Sequence, residues 1–260
     1  MIDTNEGKLL DICGNKLYVE HHNNFENHAT LVFLHDSLGC TALWRDFPIR
    51  IAELVECNLL IYDRLGYGKS DPILTYERAN DYLEDEAAIL NELLQTLKID
   101  NAILFGHSDG GSIALIAASK YGTRVEKIIC EAGHIFVEDI TLKGIYSAIE
   151  MYKTTNLAQR LEKYHGKKTE MIFKAWTETW TRSNYRNWNI EHLLQQISCP
   201  LLFIQGEKDE YGTLNQVEKT IEKVSGKAEK LIIPNVGHTP HREAVELVLE
   251  NVIAFILSEN

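Results

Sequence analysis

Hydrophobic positions in this chain fall into two recurring patterns. Short unbroken apolar runs occupy residues 31–34, 59–62, 102–105, 127–130, 201–204 and 231–233. None alternates polar with apolar, so each predicts a strand covered on both faces, as in a parallel sheet under helices. Between several of them apolar side chains recur at helical spacing. Leu83, Ala87, Leu90 and Leu94 do so within 81–97, and Val245, Leu249, Ile253 and Ile256 within 243–257. Residues 9–13 and 16–21 flank Gly14-Asn15 and predict a β-hairpin with a tight turn. The alternation predicts an α/β fold: a mostly parallel central sheet with an N-terminal antiparallel hairpin and helices on both faces.

One stretch interrupts this order. From 134 to 195 nothing reads as a buried strand, and the pattern is helical throughout. It predicts a helical cap inserted into a core made of residues 1–133 and 196–260, the whole forming one structural unit. The insertion is under a quarter of the chain, yet it holds nine of the 23 aromatic residues. Most of these rings are expected to pack the cap onto the core, and a few to line a pocket. The cap also carries nine Lys/Arg against seven Asp/Glu in a chain of net charge −12. That local excess is either a solvated helix surface or a field that steers an anionic substrate.

Composition narrows the classes. At 260 residues and 45% hydrophobic content the chain can bury one large core. A net charge of −12 argues against nucleic acid as a partner, because phosphate binding needs a basic face. No apolar window approaches the roughly 18 residues that a membrane span needs. Residues 1–7 have neither a basic region nor an apolar one and do not read as a secretory leader. Cys13, Cys40, Cys57, Cys130 and Cys199 form no C-x-x-C pair, which predicts reduced thiols, a cytoplasmic location and no metal.

The chemistry concentrates at Ala102-Ile103-Leu104-Phe105-Gly106-His107-Ser108-Asp109-Gly110-Gly111. An apolar strand ends at Gly106, and Gly110-Gly111 opens a helix rich in small residues. The spacing Gly-x-Ser-x-Gly suits a sharp strand-to-helix turn with the Ser108 hydroxyl at its apex. A serine needs a base, an acid and a hole for the oxyanion. In open parallel sheets, ligands bind beyond the carboxyl ends of the strands. After the run at 201–204 come Glu207, Asp209 and Glu210, and after 231–233 come His238 and His241. A carboxylate loop and a histidine loop thus follow the serine in chain order. Spacing alone does not separate Asp209 from Glu207 and Glu210.

These pieces together resemble the α/β-hydrolase superfamily, in its capped serine-hydrolase form, over essentially the whole length. The resemblance rests on His35-Asp36-Ser37-Leu38-Gly39, Asp63-Arg64-Leu65-Gly66-Tyr67-Gly68-Lys69-Ser70, the elbow, the Asp209 loop and Gly237-His238, each at a strand end. The run Gly-His-Ser-Asp-Gly-Gly resembles a particular elbow subgroup. The resemblance implies acyl transfer: Ser108 as nucleophile, His238 as base, Asp209 as orienting acid, and the backbone N–H groups of Ser37 and Asp109 as the oxyanion hole. It implies no cofactor. Asp36 departs from the His-Gly usual at this point, and its charge near an oxyanion is unfavourable unless it is paired or turned away.

Other residues carry weaker expectations. Trp44, His107, Trp176 and Trp180 are candidates to line the substrate pocket. His241 reads as a helix cap or a rim residue, and Asp63 and Arg64 as loop stabilisers. His21, His22 and His28 read as surface residues. The leading expectation is a hydrolase of a small or medium carboxylic ester or thioester. The competing one is a carbon–carbon hydrolase or lyase with the same triad. An acidic diketone substrate would then need a cation in the cleft, and Arg182 and Arg186 are the candidates. A non-catalytic binding protein on this fold is a third class. The expected partner is a small-molecule substrate, and the expected state is monomer or homodimer.

Overall fold

The computed structural model describes residues 7–26 and 28–258. The segment read above as lacking a leader lies almost wholly outside them. Eight strands form one sheet: β1 (Lys8–Ile12), β2 (Asn15–His22), β3 (Thr30–Leu34), β4 (Asn58–Tyr62), β5 (Ala102–His107), β6 (Val125–Glu131), β7 (Leu201–Gly206) and β8 (Ala228–Ile233). Their order is β1-β2-β4-β3-β5-β6-β7-β8. The first two are antiparallel to each other, β2 is antiparallel to β4, and the remaining pairs are parallel. The hairpin turns at Cys13-Gly14, both at positive φ, one residue earlier than Gly14-Asn15.

Ten helices accompany the strands among the described residues: α1 (Phe47–Leu54), α2 (Tyr82–Thr96), α3 (Asp109–Tyr121), α4 (Asp139–Thr154), α5 (Leu157–His165), α6 (Thr169–Thr181), α7 (Glu191–Leu194), α8 (Leu214–Lys223), α9 (Pro240–Glu243) and α10 (Val245–Leu257). The period-two alternation of strand side chains sorts the core into two layers. Leu104 and Ile128 face one cluster with α2, α3 and α8, whereas Ile103, Phe105, Ile129 and Ile204 face another with α1 and α10. The predicted covering of both faces holds for β3 to β7. It fails at β8, an edge strand whose residues other than Ile233 are half-buried or exposed. The terminal helix predicted over 243–257 is divided, because Ala244 at φ −137° separates α9 from α10.

Between β6 and β7 the described residues form helices, turns and a single isolated bridge, Phe136 to Asn189. Phe173, Trp176, Trp180, Tyr185 and Trp188 from this stretch join the same apolar cluster as the sheet. Most of the nine rings therefore pack, while Tyr146 and Tyr164 stay exposed. Two polar latches tie the stretch to the core. His165 donates to the Leu38 carbonyl at 2.9 Å and accepts from the Gly68 N–H at 3.0 Å. Lys168 Nζ donates to three carbonyls of the loop after β4, those of Tyr67, Gly68 and Ser70. His22, expected at the surface, is only 6% exposed because β2 lies inside the sheet.

Candidate active site

Ser108 stands where β5 turns into α3, at φ +55° and ψ −119°. A non-glycine residue there is strained by roughly 1–3 kcal/mol and must be held by its surroundings. Two glycines make the turn possible. A Cβ on Gly106 would collide with the Gly110 carbonyl, and one on Gly110 with the Leu34 carbonyl. The serine itself is pinned by its N–H, which donates to the Glu131 carbonyl at 2.9 Å.

His238 comes from the loop after β8. Its Nε2 lies 3.0 Å from Ser108 Oγ, and its Nδ1 lies 2.9 Å from both carboxylate oxygens of Asp209. Asp209 is 5% exposed, whereas Glu207 and Glu210 are exposed and make no such contact. Its carboxylate also accepts from Gln205 Nε2 at 2.7 Å and from the Tyr211 N–H at 2.7 Å. Burial pushes the Asp209 carboxyl up, but the facing His238 ring and these donors hold it below its usual value. Burial likewise pushes His238 down, and the Asp209 charge and hydrogen bond lift it above the ordinary imidazole value. The pair is thus arranged to hold one proton on Nδ1 and leave Nε2 facing the serine.

Among the described residues, neither the Ser37 nor the Asp109 N–H donates to protein. Both residues line the cleft at Ser108. The two segments are linked from beneath by Arg64, which is fully buried. Its Nη2 donates to the Asp36 carbonyl at 2.9 Å and lies 3.6 Å from the Asp109 carboxylate. Asp63 fixes the same region by accepting from the N–H groups of Thr41 and Lys69, each at 2.7 Å. The Asp36 side chain turns toward His107, with Oδ1 3.9 Å from Nδ1. Burial raises this carboxyl, and nearby His107, His35 and Arg242 outweigh that and lower it.

The cleft has a volume of about 240 Å³. Trp176, Trp180 and His107 line it. Trp180 is oriented by a relay in which its Nε1 donates to Tyr82 Oη at 2.9 Å, which in turn donates to Asp109 at 3.2 Å. His107 donates through Nε2 to the His238 carbonyl at 2.8 Å.

Three expectations for the pocket are corrected. Trp44 is 4% exposed and packs on Phe33, Phe105 and His241 in the core, one layer behind the cleft. Arg182 turns outward to Asn80 Oδ1 at 2.6 Å, and Arg186 is held by the Val137 carbonyl and Asp139. No lysine or arginine lines the cleft among the described residues. His241 is neither a rim residue nor a cap side chain: it is 4% exposed, with Nδ1 2.5 Å from the buried Glu131 carboxylate. The rule of searching beyond each strand end also applies to β6, where it would have found His134, a cleft residue that the reading passed over.

One described group has a metal-binding composition. His107, Glu131 and His241 each place a ligand atom within 4.8 Å of the others. Its members are already engaged, since Glu131 accepts from both the N–H and the ring of His241 and His107 serves the His238 carbonyl. These hydrogen bonds tie the three residues to one another, while His241 Nε2 is buried without a partner.

The chain has the alpha/beta hydrolase fold. A family model described as the alpha/beta hydrolase fold matches residues 29–147. The similarity extends to particular proteins. The human protein named serine hydrolase BPHL is 31% identical over 161 residues, 58% of this chain and 53% of its own length. Its mouse counterpart is 30% identical over 71% of this chain and 64% of its own length, so the chain spans less than two thirds of either relative. A Pseudomonas putida protein named (R)-3-hydroxydecanoyl-ACP:CoA transacylase is 27% identical, covering 88% of this chain and 83% of that one. Among solved structures, MGS-M2, an alpha/beta hydrolase from a deep-sea metagenome, shares the fold with a TM-score of 0.77. It is 20% identical and covers 97% of this chain and 98% of its own.

Proposed function

We propose that the protein is a cofactor-independent serine hydrolase of small or medium carboxylic esters or thioesters. The observation that carries this reading is the unbroken chain from Ser108 Oγ through His238 to Asp209, at 3.0 and 2.9 Å. Ser108 Oγ attacks the carbonyl carbon as His238 Nε2 takes its proton. The carbonyl oxygen gains negative charge facing the Ser37 and Asp109 N–H groups. Collapse expels the alcohol or thiol, which receives the proton from His238 and leaves an acyl group on Ser108. Water, deprotonated by the same imidazole, releases the carboxylic acid. Asp209 keeps the Nδ1–H tautomer and balances the charge on the ring.

Two further supports are independent of the triad. The cleft volume suits a short acyl chain, and the names of the human and Pseudomonas relatives both describe chemistry in keeping with acyl transfer. The carbon–carbon alternative needs a cation for an acidic substrate, and the cleft wall supplies none among the described residues. In this reading 134–195 forms a cap over the core, and five free cysteines are in keeping with a reducing compartment.

The test is a series of nitrophenyl esters of rising acyl length. Turnover is expected to be fastest for short acyl groups, and Ser108→Ala is expected to lower kcat by about 10⁴-fold or more. Undiminished turnover in Ser108→Ala would overturn the assignment.

A further inference from the structure

We propose that His134 is a substrate-recognition residue that hydrogen-bonds an uncharged oxygen function, a hydroxyl or keto group, on the acyl chain of the substrate. The inference rests on the serine-hydrolase reading and narrows its substrate class.

His134 follows β6 and lines the cleft at Ser108. Its ring is stacked on His238, with centroids 6.0 Å apart and planes at 27°, and meets Trp180 edge-on at 5.3 Å. The residue is 3% exposed. Its main chain is held firmly: Ser112 Oγ accepts from the His134 N–H at 3.0 Å and donates to its carbonyl at 2.6 Å. The next N–H, that of Ile135, donates to Gln216 Oε1 at 2.8 Å. The imidazole, by contrast, makes no hydrogen bond to any described residue: Nδ1 is sealed beside Gly212 without a partner, and Nε2, also unbonded, is the nitrogen left for a ligand. Buried polar groups left unpaired are uncommon in native proteins, and each asks for an explanation. Here the backbone is fixed and the ring is left unused beside the nucleophile, the arrangement expected of a group that awaits a ligand.

The surroundings define the ligand's chemistry. Burial, with the nearby His238 charge, pushes the ring down to about 4, so it is neutral near pH 7. The free nitrogen of a neutral imidazole donates in one tautomer and accepts in the other; a hydroxyl can answer either, and a keto oxygen the donating one. A carboxylate is disfavoured, because Asp36 and Glu210 line the same cleft and no described lysine or arginine does. Ile145, Trp176 and Trp180 provide apolar wall for the hydrocarbon part.

The experiment compares kcat/KM for nitrophenyl esters of butyrate, its α- and β-hydroxy derivatives and acetoacetate. The wild type is expected to favour at least one oxygenated ester over butyrate by about tenfold or more. His134→Phe is expected to bring that ratio close to one, and His134→Asn to keep part of it. Fluorophosphonate labelling of Ser108 in each variant reports that the fold and nucleophile are intact. A wild-type ratio near one, or a ratio unmoved by His134→Phe, overturns the role of His134 while leaving the hydrolase reading in place. Failure of the wild type to label defeats the hydrolase reading, and the inference with it.

Discussion

Asp209 acts on His238 in two ways, by holding Nδ1–H and by favouring the charged ring, and the second has a measurable consequence. In the proposed mechanism His238 must be neutral to accept the serine proton, and its folded pKa lies above the ordinary 6.5. Activity is therefore expected to fall as pH drops through a value higher than that of a free imidazole. Asp209→Asn removes the charge, so the acidic limb of kcat/KM is expected to move to lower pH while the maximum falls by roughly 10⁴-fold. An unmoved limb, or the same change from Glu207→Gln, contradicts the assignment. The sequence left three acids open at this loop because their burial is set by turn geometry. An aspartate side chain reaches the N–H two residues ahead, as Asp209 does to Tyr211. Glu207 and Glu210 instead stay exposed. His134 was legible by the strand-end rule, but an imidazole's lack of partners is visible only in three dimensions.

Glu131 ends β6 and His241 lies in α9, and their buried pair joins two segments 110 residues apart. Burial raises the Glu131 carboxyl, but His241 and His107 outweigh it and hold the carboxyl below its usual range. A carboxylate with a depressed folded pKa contributes stability above its unfolded pKa. That contribution is lost as pH falls through the lower, folded value. Glu131→Gln is expected to cost about 3 kcal/mol near pH 7, read as a Tm roughly 10 °C lower. The gap should narrow at acid pH, and an unchanged Tm at neutral pH would show that the pair does not stabilise the fold. Strands β3 to β7 were readable because unbroken apolar runs mark central strands. Even Lys127 inside one such run has a physical reason: its Nζ donates to the carbonyls of Phe255, Ile256 and Ser258 at the end of α10. Edge position at β8 and the outward turn of Arg182 and Arg186 depend on neighbours far along the chain, which local pattern does not encode.

Taken as one body, the molecule brings three distant loops to one end of a sheet. In the proposed triad Ser108 follows β5, Asp209 follows β7 and His238 follows β8, so a site spanning 131 positions, from Ser108 to His238, depends on parallel register across β5 to β8. The α/β class and the strand ends were legible because hydrophobic period and glycine placement are local. The cleft's lining was less so: two tryptophans from α6 reach it, while Trp44 packs behind it. The central claim is that this convergence makes Ser108 a nucleophile. It is tested most directly by treating the protein with a fluorophosphonate probe and mapping the adduct by peptide mass spectrometry. A single adduct on Ser108 in the wild type, absent in Ser108→Ala, is the predicted result. Equal labelling of both proteins, or an adduct on another residue, would contradict the account.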